Sequence, residues 1–199
     1  MKQLLTALSR EAEKSIERPA EPRVVMEAFC AAMSARTGRP IRLLFQSFPD
    51  DTPVTVTGLR LDCGDNSLIV IEDRATPVQQ LVILGHELWH EQQGHCGHHM
   101  GGLSAAGRTP TSGDTPELLW RAVQQVVGSV EIPREAFLAV AARADSADDH
   151  EADAETFGLR FGAEVRTWIT GPYALGSIST STVEGRITST LTNRGGRRL

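Results

Sequence analysis

One stretch of the chain limits its possible folds more than any other: the helical run PVQQLVILGHELWHEQQ, residues 77–93, with two histidines and a glutamate at its centre. Leu81, Val82, Leu84, Leu88 and Trp89 give this run apolar surface on more than one side, so it has to lie inside a domain. Thr76-Pro77 suits its start, Gly94 suits its end, and Gly85 leaves backbone room beside His86. Before it come three β-type runs, IRLLFQSF at 41–48, VTVTGLRL at 54–61 and SLIVIED at 67–73. Gly64-Asp65-Asn66 is turn chemistry and predicts an antiparallel hairpin between the last two. The first 38 residues read as two core-packing helices, the second opened by Pro22 and capped by Gly38. The expected fold class is α+β, with a small antiparallel three-stranded sheet packed against helices.

His86-Glu87-Leu88-Trp89-His90 is an HExxH sequence, and four residues of helix place both imidazoles on one face, one turn apart. Two neutral imidazoles in that arrangement can reach one Zn²⁺, which in a catalytic site takes three protein ligands and leaves a fourth position for water. Glu87, next to the first histidine, is placed to take a proton from that water. The chemistry expected is peptide-bond hydrolysis with Zn²⁺ as cofactor, His86 and His90 as metal ligands and Glu87 as the catalytic acid-base.

A third ligand has to come from elsewhere, and the best candidate is Glu151 in the late helical segment HEADAETFG, with Asp153 the next choice. Glu155 lies one turn beyond Glu151 on the same face and can serve as acceptor for a ligand histidine's N–H. This predicts a thermolysin-like zinc site held between two helices. A metzincin arrangement would place a third histidine six residues beyond His90, but Cys96 stands there, and Gln93 takes the place of the required glycine. His95, His98 and His99 form a histidine-rich loop in which one could stabilise an oxyanion. Tyr173, the only tyrosine, could do the same. Trp89 and Trp120 are assigned to the core.

Taken in order, hairpin, HELWH, spacer and a Glu-x-x-Ala segment carrying Glu151, Ala154, Phe157 and Gly158 resemble the ImmA/IrrE-type zinc metallopeptidases over about residues 41–162. The spacer is longer here, with two additional helical patterns, PELLWRAVQQVVGSV and PREAFLAVAARA, and the late helix ends in RFGAEVRTW. The resemblance implies Glu151 as third ligand and a regulatory protein as substrate, typically a helix-turn-helix repressor or a toxin-antitoxin partner. The rival from another class is a non-catalytic zinc-stabilised toxin component or regulator that acts by protein binding; a small-substrate metal hydrolase is a third reading.

The rest of the sequence sets bounds. A net charge of −5 gives no clustered basic excess for direct nucleic-acid binding. The three cysteines, Cys30, Cys63 and Cys96, are far apart and lack CxxC spacing, so neither a disulfide framework nor a cysteine-ligated zinc is expected. The N-terminal apolar stretch is too short for a secretory signal and no run approaches membrane-spanning length, so a cytoplasmic protein with no membrane partner is expected. Residues 1–170 are expected to form a single zincin-like domain, and 171–199, rich in Ser, Thr and Gly, a loosely ordered tail.

Overall fold

A computed structural model describes residues 1–48, 57–94, 103–104 and 148–171, with only the backbone for 103–104 and 148–151. The chain opens with α1 (Lys2–Ala12), whose Leu4, Leu5, Leu8 and Ala12 turn one buried stripe inward. That stripe ends at Ala12 and the polar Glu13-Lys14-Ser15 follows, so the helix stops earlier than its run of helix formers suggests. Helix α2 (Pro22–Thr37) has Pro at its first turn and ends on Gly38 at φ 72, a left-handed position that glycine adopts without Cβ strain.

Strands β1 (Ile41–Gln46), β2 (Gly58–Asp62) and β3 (Ser67–Glu72) follow, and a two-residue β4 (Leu103–Ser104) completes a four-stranded sheet in the order β1-β3-β2-β4. The expected β2–β3 hairpin is present, turning through Gly64 at φ 86. The expectation of an antiparallel sheet needs correction: β1 pairs with β3 in parallel, so the sheet is mixed. The physical reason lies in burial. Every residue of β3 is buried, and a strand covered on both faces belongs in the centre, so the hairpin returns β3 between β2 and β1. The strand runs are also shorter than read: β1 stops at Gln46 and β3 at Glu72. Of the run 54–61 only its end lies in β2, which continues to Asp62, and residues 54–56 are outside the described set.

Helix α3 (Pro77–Gly94) crosses the sheet, and α4 (Asp148–Val165), continued by a 3-10 turn at Arg166–Trp168, packs along α3. Phe29 of α2 meets Phe161 edge-on at 4.8 Å and Trp168 at 5.1 Å, and Phe157 lies 5.2 Å from Trp89, so aromatic rings join α2, α3 and α4. Backbone bonds from Ala20 N–H to the Trp168 carbonyl and from Thr170 N–H to the Ala20 carbonyl, both 2.8 Å, tie the end of α4 to the α1–α2 link. No helix among the described residues is long and apolar enough to cross a membrane. The helical patterns at 116–130 and 133–144, Trp120 and the tail beyond Gly171 lie outside the described residues.

The hairpin is clamped to the α2–β1 turn by Arg39, which donates to both carboxylate oxygens of Asp62 at 2.5 and 3.3 Å. Burial opposes ionisation of Asp62, but the Arg39 hydrogen bonds, the Gly64 N–H and the charges of Arg39 and Arg60 outweigh it and hold the carboxyl below its usual value. Because the folded value is lowered, this stabilisation is present above the ordinary aspartate value near 3.9 and is lost as pH falls through the folded one. Asp62→Asn is therefore expected to cost on the order of 2 kcal/mol at neutral pH. The gap to wild type should close in urea titrations repeated at progressively more acidic pH; a gap that stays constant into acid refutes the clamp.

Candidate metal centre

Helix α3 starts with reciprocal capping. The Thr76 N–H donates to Gln79 Oε1 at 2.9 Å and the Gln79 N–H points back to Thr76 Oγ1 at 3.4 Å, the geometry of a capping box with Pro77 behind the cap. Beyond the cap, Leu81, Leu84 and Leu88 are fully buried, and the HExxH residues ride on this core-packed segment. His86 is 4% exposed and Glu87 0%, while His90 is partly exposed. The Nε2 atoms of His86 and His90 stand 3.0 Å apart, with ring centroids at 4.7 Å and planes at 60°.

That convergence is the test of whether the residues fit a metal. At Zn–N bonds of about 2.0–2.1 Å, two nitrogens on one tetrahedral ion sit about 3.3 Å apart, so 3.0 Å needs an adjustment of only a few tenths of an ångström. Two imidazole nitrogens turned to one point suit a shared cation, and without one the same distance serves an N–H···N hydrogen bond between the rings.

Helix α4 reaches the motif through glycines. A Cβ on Gly158 would lie 2.6 Å from the Val82 carbonyl oxygen and 3.1 Å from the His86 nitrogen, and one on Gly85 would lie 2.6 Å from Phe161 Cβ. A Cβ on Gly162 would meet Val82 Cγ2 at 2.5 Å. The pairs 82 with 162 and 86 with 158 set an antiparallel register. Gly85 thus has the role expected of it, and the close approach is backbone to backbone. Glu151 lies in the first turn of α4, two turns before Gly158 on the same helical stripe as the buried Ala154. Asp153 and Glu155 are exposed, and Asp153 falls on the far side of that stripe.

The structure therefore brings His86 and His90 together, buries Glu87 beside them and runs the backbone bearing Glu151 antiparallel to their helix. Among the described residues no group of three or more His, Cys, Asp or Glu side chains is placed to hold a metal ion; the Glu151 side chain, His95, Cys96, His98, His99 and Tyr173 lie outside that set. Cys30 and Cys63 are free thiols. Burial, with Glu27 and Glu91 nearby, pushes Cys30 up, and burial with Asp62 does the same for Cys63, so both stay protonated and are poor ligands.

Reading the sequence gives no role to Glu91, yet it is 0% exposed and directly follows His90. It accepts from Arg60 Nε at 2.6 Å and Ser67 Oγ at 2.7 Å, with Arg39 at 3.7 Å. This cluster ties the motif end of α3 to β2 and β3. Nothing near Glu91 or Arg60 in the sequence marks either as buried, and only the burial of Arg60 shows that it demands an acid. Compared with protein-family models, curated proteins and solved structures, the chain finds no significant match.

Gly158→Ala tests the helix contact. The new methyl would meet backbone atoms that cannot rotate away, so a loss of roughly 1–3 kcal/mol or more is expected, read as a lower urea midpoint. An unchanged midpoint would mean that α3 and α4 are not in backbone contact.

Proposed function

We propose that this chain is a zinc-dependent endopeptidase of the ImmA/IrrE type that cuts a regulatory protein, such as a helix-turn-helix repressor or an antitoxin-like partner. The observation that carries the reading is the convergence of the His86 and His90 Nε2 atoms to 3.0 Å on a core-packed helix. His86, His90 and Glu151 would hold the ion. When bound, zinc would supply Lewis acidity, lowering the pKa of a water toward about 7 and polarising the scissile carbonyl. Glu87 has the proton work: its carboxylate takes the proton of the attacking water and returns it to the leaving amine. Burial of Glu87 and His86 in the α3 core keeps both on fixed backbone, which is what positioned acid-base chemistry needs.

The purified protein is expected to carry about one zinc per chain, and His86→Ala or His90→Ala each to lose most of it, measured by elemental analysis after dialysis. Glu151→Gln should weaken zinc binding more than Asp153→Asn. Unchanged zinc content in both histidine variants overturns the assignment.

Glu87→Gln separates enzyme from binding protein. It should keep its zinc and its fold while cleavage of the repressor- or antitoxin-like protein encoded beside it falls by roughly 10²–10⁴-fold. If wild type and Glu87→Gln act alike on that protein, the zinc-stabilised binding module is the better account.

A further inference from the structure

Helix α3 carries two buried polar residues that the zinc chemistry does not use. Gln80 is 6% exposed and Glu91 0%. They stand eleven residues apart, and three helical turns take about 10.8 residues, so both lie on one stripe of the helix. Leu84 and Glu87 fall on the same stripe between them.

Each end of this stripe is hydrogen-bonded to one end of β3. Near the start of α3, Gln80 Nε2 donates to the backbone carbonyls of Glu72 at 3.1 Å and Asp73 at 3.3 Å, where β3 ends. Toward the other end, Glu91 accepts from Ser67 Oγ at 2.7 Å, where β3 begins, and from Arg60 Nε of β2 at 2.6 Å. The spans match: eleven steps of helix at about 1.5 Å and five of strand at about 3.3 Å both come to roughly 16.5 Å. Between the two pins the packing is apolar, with Ile69 and Ile71 of β3 in one core cluster with Leu81, Leu84 and Leu88. Apolar contact has no direction, so it resists separation of helix and strand more than it resists sliding or turning.

We propose that Gln80 and Glu91 are positioning residues of the metal centre: as two pins they fix where α3 lies along β3 and how it is turned about its axis. The consequence depends on which ligands share a backbone. His86 and His90 ride on one helix, so a shift of α3 carries both together and leaves their 3.0 Å separation as it is. Their aim at a ligand on another element is what changes, and that element is α4, the helix that bears Glu151. Helix α4 is held separately, through Phe161 and Trp168 against Phe29 of α2, so it does not follow α3 when α3 turns on the sheet. The inference rests on the zinc reading above, and neither pin is itself a ligand.

The test is zinc binding by the full chain, read by competition with a chromophoric chelator and set beside the urea midpoint. Gln80→Met keeps the length of the side chain and strands no charge. The triple variant Arg60→Met, Ser67→Ala, Glu91→Leu removes the other pin together with its partners, so no buried ion is left unpaired. Each is expected to keep a urea midpoint close to that of wild type and to raise the zinc dissociation constant about tenfold. Co²⁺ supplies a second readout, because its visible bands follow ligand geometry where Zn²⁺ with its filled d shell is silent; both variants should show altered bands. A purely stabilising role would instead lower the urea midpoint and leave affinity and spectrum of the folded protein unchanged. Gln80→Met with wild-type zinc affinity and cobalt spectrum overturns the proposal, whether or not the triple variant folds, and so does a folded triple variant with both. Wild type that binds no zinc overturns the metal reading, and this proposal with it.

Discussion

The backbone-to-backbone contact of α3 with α4 is the constraint on which the candidate site depends. Helices packed through ordinary side chains stand 8–10 Å apart, and at that distance a residue on one cannot be fixed closely against a residue on the other. Here Gly85, Gly158 and Gly162 remove the side chains from the crossing, and the flanking rings of Trp89, Phe157 and Phe161 fill the space around it. The register that results is stiff. One residue of slip along α4 would rotate its face by about 100°, so the glycines fix which face of α4 is turned to the helix of the histidines.

The second constraint comes from the sheet side. Glu91 is buried with Arg60 and Ser67, and taking such ions out of water costs enough that a pair of this kind is often no more stabilising than apolar residues of the same volume. Its contribution is therefore orientation. Hydrogen bonds have direction, and a carboxylate held by an arginine on β2 and a hydroxyl on β3 fixes the rotation of α3 about its axis where leucine contacts alone would allow some freedom. Glycines on one side and Glu91 on the other leave the one turn between His86 and His90 little room to move.

Much of this was legible in the sequence because it rests on short-range chemistry. The ends of α2 at Pro22 and Gly38, the Gly64 hairpin, the start of α3 at Thr76-Pro77 and the pairing of His86 with His90 all follow from residues within a few positions of one another. The parallel β1–β3 neighbours did not follow, because strand order is decided by which strand needs cover on both faces, and that depends on the whole sheet. Glu91 was missed for a related reason. A glutamate near a helix end looks like a solvated one until Arg60, 31 positions away, is known to be inside. In the acidic segment DSADDHEADAE the choice of Glu151 rested on its four-residue spacing from Glu155 and on the family resemblance, and the phase of α4 adds that Glu151 shares a stripe with Ala154 and Gly158 while Asp153 does not.

Arg39 joins the two halves of the argument. Its guanidinium grips Asp62 at the end of β2 and lies 3.7 Å from Glu91, the residue after His90, while its backbone lies between α2 and β1. Its side chain is only 15% exposed, so it has few alternative positions. The residue that leads from α2 into β1 therefore already contacts the acid orienting the motif helix. The link from the start of β1 to the motif helix is one ion pair, Arg39–Glu91 at 3.7 Å, and burial shields it from the solvent that weakens charge contacts at a surface. The α2–β1 turn and the set of α3 are thus physically connected through Arg39 and Glu91.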